Sequence, residues 1–294
     1  MTDPSRALAA AIEPFAGQVY FAPECHRSYA ALGFGPSPGK TGEVEMPDGP
    51  AYFCSRGSVL GQVPGEVIAA TFAVFNPAVV VPAVTHGWTL TDARTICRVR
   101  TDGAVAQLRR VLEASPDRLD RAVELLGRAT EQLPLAGKPL FAGLVAQGLP
   151  GEPLADAWRL ADRLREYRGD VHVNAWTAAG FDGVEIGLIT ELYWGLPLRS
   201  YMRTRAWADD DLAAAEERLQ SRGLIHDGTL TDAGRAAREA IEVTTDEGCA
   251  PIVAGLGDDL DELAGLVGAW SRQLQSAGGY PAAGPQDLAA LAKR

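Results

Sequence analysis

The chain lacks the cysteine patterns that extracellular scaffolds and metal-binding modules use. Cys25, Cys54, Cys97 and Cys249 are scattered over 294 residues and form no Cys-x-x-Cys pair. So few cysteines in a chain of this length do not make a disulfide scaffold, and we expect free thiols in a reducing compartment. The first residues also show no basic segment followed by an apolar core, which an export signal needs. A cytoplasmic location is therefore expected.

Long apolar runs are scarce, with one exception. Val67–Val84 has no charged residue over 18 positions, close to the roughly 20 residues that a membrane-spanning helix needs. However, Asn76, Pro77 and Pro82 divide this run into pieces too short to cross a bilayer. We therefore expect a pair of buried helices here and no membrane partner.

Nucleotide-binding signatures are missing as well. The sequence contains no Gly-x-Gly-x-x-Gly fingerprint. Gly39-Lys40-Thr41 matches the end of a phosphate-binding loop, but Phe34 occupies the position of the first glycine that such a loop requires. The surrounding Gly33–Pro50 is rich in Gly and Pro and predicts a loop.

The stretch Glu185–Glu242 has the order of a winged helix-turn-helix. An apolar helix over Glu185–Trp194 is followed by a second short helix. A third helix is predicted to start at Asp209, because the carboxylates of Asp209–Asp211 are stabilised by the dipole at a helix N-terminus. Asp227-Gly228 then predicts a two-residue hairpin turn, which would form the wing. Thr231 is placed to cap the helix that follows.

The segment LAAAEERLQSRGLIHDGTLTDAGRAAREAIE, residues 212–242, resembles the recognition helix, wing and following helix of MarR-type regulators. Through Tyr20–Glu24 and Arg165–His172, the whole chain is also similar to an actinobacterial family of MarR-like proteins. The resemblance implies a mainly α fold with small β-wing hairpins. It implies no particular activity.

A weak internal repeat suggests how such a fold would be organised. Glu66–Asp92 aligns with Glu185–Asp211 without a gap, with identical residues that include Trp88 and Trp207. We therefore expect two MarR-like winged-helix units fused as a pseudo-dimer, which would act as a monomer or form a homodimer. The expected units are 1–150, a degenerate N-terminal half, and 151–275, a long helix with the winged helix, followed by a mobile tail over 276–294.

The charge of the chain argues against DNA as a partner. The net charge is −11, and residues 181–250 carry 14 acidic side chains against seven arginines. DNA phosphates are bound by Lys and Arg with release of counterions, so carboxylates on the recognition helix would repel them. The leading hypothesis is a small-molecule-binding protein, with or without enzymatic activity, whose site lies between the two halves. The alternative is a ligand-responsive MarR-type regulator that binds DNA.

The candidate site residues centre on Arg168-Gly169-Asp170-Val171-His172. On a continuous helix Arg168 and His172 share one face, whereas a break at Gly169 would make Asp170 the cap of a new helix. The structural alternative is an ion pair between Arg168 and Glu24 beside a satisfied core histidine. The functional alternative is a pocket in which His172 and Asp170 transfer protons.

Several residues near the N-terminus complete this hypothetical pocket. Glu24, His26 and Tyr20 would bind the ligand together with Arg168. Glu24 and His26 occupy places in the repeat that match Asp170 and His172, so these four could also hold Zn, Fe or Mn. A spacing of two residues on a helix is poor geometry for chelation, and we predict no cofactor.

Overall fold

A computed structural model describes residues 3–284. Within this range the chain forms thirteen α-helices and two short antiparallel hairpins, which confirms the mainly α fold with β-wing hairpins. The helices are α1 (Pro4–Gly17), α2 (Pro23–Ala31), α3 (Gly49–Gly57), α4 (Gly65–Phe72), α5 (Pro77–Leu90), α6 (Ala93–Leu112), α7 (Leu119–Thr130), α8 (Pro139–Ala146), α9 (Pro153–Ala178), α10 (Gly183–Tyr193), α11 (Asp209–Ser221), α12 (Asp232–Leu256) and α13 (Leu260–Ser276). The strands are β1 (Lys40–Thr41), β2 (Val44–Glu45), β3 (Ile225–His226) and β4 (Thr229–Leu230). Single 3-10 turns cover Gln18–Tyr20, Ser58–Leu60, Met202–Arg205 and Gly257–Asp259.

The body of the protein consists of α1 to α9, α13 and the end of α12, and the longest helix, α9, lies at its centre. Pro153 suits its first turn, and the Glu152 carboxylate accepts a hydrogen bond from the amide of Ala155 at 3.0 Å. Helices α1, α6, α7, α8 and α12 all pack against it. The helix runs unbroken through Gly169, so Asp170 does not begin a new helix.

The buried apolar residues form two separate cores. The larger core is built from α1 to α9 together with the end of α12 and α13, and therefore draws residues from both sides of position 150. The smaller core lies between the end of α9, α10, α11 and the wing, with Leu188, Leu212 and Leu219 fully buried. The domain boundary at residue 150 stays a prediction.

The wing forms as the sequence predicts. Ile225 pairs with Leu230 and His226 with Thr229 across the Asp227-Gly228 turn. The Thr231 hydroxyl accepts a hydrogen bond from the amide of Gly234 at 3.0 Å and caps α12. Helix α12 then continues to Leu256, well beyond Glu242, where the predicted winged segment ends.

The two members of the proposed repeat share a first helix but differ in the second. Helix α5 has 14 residues, whereas the matching stretch of the second copy contains only the four-residue turn Met202–Arg205. The Trp88 indole donates to the Val63 carbonyl and the Trp207 indole donates to the Val74 carbonyl, which are not equivalent positions. The origin of the fold as a pseudo-dimer stays a prediction.

Three further expectations concern local segments. The Gly33–Pro50 loop contains the β1–β2 hairpin. The charge-free run forms α4 and α5, but Val67 and Val79 are 43% and 41% exposed, so this helix pair is buried on one face only. Within residues 3–284, none of the helices has the length and apolar character to cross a membrane.

The expected mobile tail over 276–294 falls partly outside the described residues. The part that is described, up to residue 284, includes Tyr280, which packs edge-on against Phe21 and donates a hydrogen bond to Glu13 at 3.1 Å. All four cysteines are buried free thiols.

Candidate ligand-binding site

A cavity of about 520 Å³ separates the body from the winged helix. Its walls come from α1, α3, α9, α10, α12 and the turn Met202–Arg205. This volume is in the range of small-molecule sites, which are usually apolar with a few convergent polar groups. The apolar lining includes Leu8, Ile12, Trp176, Ile186, Trp194 and Ile252.

One side of the cavity carries a closed ion-pair network. The Glu166 carboxylate accepts hydrogen bonds from Arg56 at 2.9 and 2.7 Å and from Arg165 at 2.8 Å. Arg165 also binds Glu13 at 2.9 Å. Burial alone would raise the pKa of Glu166, but the charges of Arg56 and Arg165 outweigh it and lower the pKa to about 2. The two arginines and two glutamates neutralise one another.

A second network at the cavity is a chain of alternating charges that joins α12, α9 and α1. Arg238 binds Glu242 at 2.6 Å, Glu242 binds Arg168 at 2.9 Å, Arg168 binds Asp246 at 2.8 Å and Asp246 binds Arg6 at 2.6 Å. The ion pair between Arg168 and Glu24 that the sequence suggests is therefore wrong. The partners come from α12, 74 and 78 residues further along the chain.

Arg238 is the most buried cation of this chain of charges and is incompletely paired. It is 2% exposed, its Nε donates to the Thr190 hydroxyl at 2.9 Å, and its guanidinium lies 5.1 Å from the centre of the Tyr193 ring. Its Nη1 atom is buried and finds no hydrogen-bond partner among the described residues. An unpaired buried donor is unfavourable.

Among residues 3–284, Arg205 is the arginine of the cavity that has no carboxylate partner. It stacks on the rings of Phe75 at 4.6 Å and Tyr201 at 4.4 Å and donates to the Tyr201 hydroxyl. Within residues 3–284 it forms no ion pair, unlike its neighbour Arg203, which binds Asp209 at 3.1 Å.

His172 also lines the cavity, as a neutral ring with its proton on Nδ1. Its Nδ1 lies 3.0 Å from the Thr245 hydroxyl, which donates its own proton to the Ile241 carbonyl at 2.7 Å. The hydroxyl oxygen must therefore accept from Nδ1–H, which leaves Nε2 as an acceptor. Burial, helped by the charge of Arg238, lowers the pKa of His172 to about 4, so the ring is neutral at physiological pH.

Asp170 lies away from the cavity. Its carboxylate accepts a hydrogen bond from the Phe141 amide at 3.0 Å and so satisfies a free N–H at the start of α8. Burial raises the pKa of Asp170 to about 7, although the amide donors of α8 oppose this shift. The structure assigns this residue to holding α8 against α9.

The remaining predicted ligand-binding residues do not reach the cavity either. Glu24 is held by Arg110 at 2.7 Å, and the ring of His26 contacts the Tyr20 carbonyl at 3.0 Å. The Tyr20 hydroxyl accepts from Arg100 at 3.1 Å and lies behind the cavity wall formed by Glu166. Among residues 3–284, no group of three or more His, Cys, Asp or Glu side chains is placed to hold a metal ion. The four residues considered as metal ligands are therefore not brought together.

Helix α11, which corresponds to the recognition helix, has exposed carboxylates at its start. Its one arginine, Arg218, forms ion pairs with other residues of the chain. Asp209, Asp210 and Asp211 are exposed. Arg218 binds Asp182, the N-cap residue of α10, at 2.6 Å and Glu185 in α10 at 3.0 Å. Nearby arginines are neutralised in the same way: Arg222 by Glu185, Arg199 by Glu216 and Arg203 by Asp209.

A family model described as a helix-turn-helix family matches residues 5–281, almost the whole chain. The chain belongs to this helix-turn-helix family. No curated protein and no solved structure matches it.

Membership of the helix-turn-helix family confirms the fold expected from the winged segment. The narrower resemblance to MarR-type and actinobacterial proteins stays a prediction. The match also extends over α1 to α9, so the residues that line the cavity lie within the matched range. The residues that sequence reasoning missed are Arg238 and Arg205. Arg205 lies close to Arg199 and Arg203 in the sequence, which is a weak signal, and Arg238 has no local signal.

Proposed function

We propose that this helix-turn-helix protein binds a small molecule in the cavity between the body and the winged helix. The observation that supports this most strongly is Arg238, a buried arginine that lines the cavity with one nitrogen unpaired among the described residues. A protein that used this space only for packing would gain stability by filling it, because cavities and unpaired donors are both unfavourable.

Binding is favoured over acid–base catalysis. A catalytic base works best when its pKa lies near the operating pH. The pKa of His172 is about 4, and Asp170 does not line the cavity. His172 therefore suits the role of a neutral hydrogen-bond acceptor for a ligand.

A cavity-filling substitution tests the proposal. Ala9 lines the cavity on α1, whereas Ala7 is exposed on the same helix and does not line it. Compounds of a small aromatic library that raise the melting temperature of the native protein should also stabilise Ala7→Phe, but not Ala9→Phe. A library without stabilising compounds, or stabilisation that survives in Ala9→Phe, would contradict the proposal.

A ligand-responsive regulator is the second candidate, and the family match with its complete winged helix favours it. The exposed carboxylates of α11 argue against it, because they would repel DNA phosphates. In a shift assay at moderate salt we expect no specific complex with the DNA upstream of the gene. Sequence-specific binding in the usual range of about 10⁻⁸ to 10⁻¹¹ M would reverse the order of the two candidates.

A further inference from the structure

Two arginines of α9 have no carboxylate partner and do not line the cavity. Arg159 and Arg163 are four residues apart, so they share one face of the helix. Among the described residues neither of them forms an ion pair, whereas Arg165 and Arg168 on the same helix bind carboxylates. Arg159 is 4% exposed and Arg163 is half-buried. Two positive charges are thus held close together without compensation.

The groups that contact Arg159 are neutral. Its Nη2 donates to the Thr101 hydroxyl at 2.8 Å, and this hydroxyl donates its own proton to the Cys97 carbonyl at 3.0 Å. The nearest carboxylate, that of Asp162, accepts hydrogen bonds from Arg100 at 2.8 and 3.2 Å instead. Burial lowers the pKa of Arg159, because the charged form is poorly solvated.

Arg163 is also weakly held. Its Nε and Nη2 donate to the carbonyls of Leu144 and Val145 at the end of α8, at distances of 3.3 to 3.4 Å. Burial lowers the pKa of Arg163, the charge of Arg159 lowers it further, and the charge of Asp156 opposes the shift. Each of the two guanidinium groups therefore makes the charge of the other less favourable.

Each of these guanidinium groups has one nitrogen that an outside atom can reach. The Nε of Arg159 is enclosed, but its Nη1 keeps accessible surface and has no hydrogen-bond partner within residues 3–284. The Nη1 of Arg163 is open and unpartnered in the same way. Buried charges without partners are costly, so a protein gains stability when an anion compensates them.

We propose that Arg159 and Arg163 bind a phosphate group at the junction of α6, α8 and α9. The two Nη1 atoms donate to its oxygens, and guanidinium groups suit the geometry of phosphate. Two uncompensated cations match a dianion, whereas a carboxylate would leave one of them without a counter-charge. The phosphate is either the free inorganic ion or part of a small ester. The site is separate from the cavity and does not depend on the function proposed for it.

Matched salts test the charge of the ligand. We would measure the melting temperature of the full chain in chloride, acetate and inorganic phosphate at one ionic strength, and with phenyl phosphate. Phosphate at about 10 mM should raise the melting temperature by about 2 °C or more relative to acetate, because a ligand that binds only the folded state stabilises it. A larger shift with phenyl phosphate than with inorganic phosphate would assign the group to an ester.

Matched variants test the residues. Arg159→Met removes the uncompensated charge and keeps a long side chain, so in chloride this variant should be at least as stable as the native protein. It should lose the phosphate shift, and Arg163→Gln should lose at least about half of it. Arg235→Gln is the control, because Arg235 is exposed on α12 and forms no ion pair within residues 3–284. This control should keep the full shift.

The outcomes decide the proposal in either direction. A phosphate shift that is lost in Arg159→Met, reduced in Arg163→Gln and kept in Arg235→Gln supports the site. The absence of a shift, an equal shift in acetate, or a shift that survives in both α9 variants overturns it. If Arg159→Met fails to fold, Arg163→Gln decides the outcome, because Arg163 is only half-buried. None of these results tests the cavity, since neither arginine lines it.

Discussion

His172 and Asp170 make opposite contributions to the pH dependence of stability. The contribution of His172 lowers stability as the pH falls. Its pKa is about 4 in the folded protein against about 6.5 in an unfolded chain, so below pH 6.5 the unfolded state binds more protons. Stability is therefore lost as pH falls from 6.5 towards 4. His172→Gln removes this contribution, and the variant should lose about 1 kcal/mol less than the native protein between pH 7 and 5.5. Urea unfolding at the two pH values measures the difference, and parallel losses would show that the ring titrates normally.

Asp170 acts in the other direction. Burial raises its pKa from 3.8 to about 7, so between these values the folded state binds more protons and stability is lost as pH rises. The Asn side chain of Asp170→Asn keeps an oxygen that can accept a hydrogen bond from the Phe141 amide. This side chain cannot ionise. On raising the pH from 5 to 7.5, the variant should retain on the order of 2–3 kcal/mol of stability that the native protein loses. Chemical unfolding at both pH values checks this, and a variant that follows the native curve would contradict the raised pKa.

Among the secondary-structure elements, the junction of the wing with α12 depends on one glycine. A Cβ atom added to Gly234 would lie 1.9 Å from the Leu224 carbonyl oxygen, a backbone atom that cannot turn away. Gly234→Ala should therefore destabilise the protein by about 1–3 kcal/mol. Gly265→Ala in α13 is the control, because no described atom lies within 4 Å of its added Cβ, and alanine is favoured over glycine in a helix by roughly 0.5–1 kcal/mol. Thermal unfolding compares the two variants, and equal melting temperatures would show that the backbone shifts freely.

Local sequence patterns predict the elements better than they predict the contacts between them. The Asp227-Gly228 dipeptide predicts the wing. An apolar face that repeats with the helix period predicts α9. The length of α12 does not, because Gly248 and Pro251 both indicate a helix end, yet packing against α9 and α7 keeps the helix continuous. The site depends on Arg168 meeting Glu242, a partner 74 residues away that no spacing rule identifies.

For the whole molecule, the separation of the two cores predicts uneven local stability. The winged helix, residues 183–231, relies on the smaller core, and the cavity lies between it and the body. Backbone amides in α10 and α11 should therefore exchange with solvent at least about tenfold faster than those in α1 and the first half of α9. Hydrogen exchange followed by mass spectrometry measures this. Uniform protection would mean that the two cores unfold as one unit.

Helix α12 connects the wing to the body as one rod. It has 25 residues, begins beside Thr231 and ends in the larger core at Leu256. With a rise of about 1.5 Å per residue, Arg238 is about 21 Å from Ile252 in the body, and Thr231 is about 31 Å from it. A sideways push on α12 at Arg238, with the end at Ile252 held by the core, thus moves the wing about one and a half times as far. The helix is a lever with its fulcrum in the body, and Arg238, a residue of the cavity wall, lies on its arm.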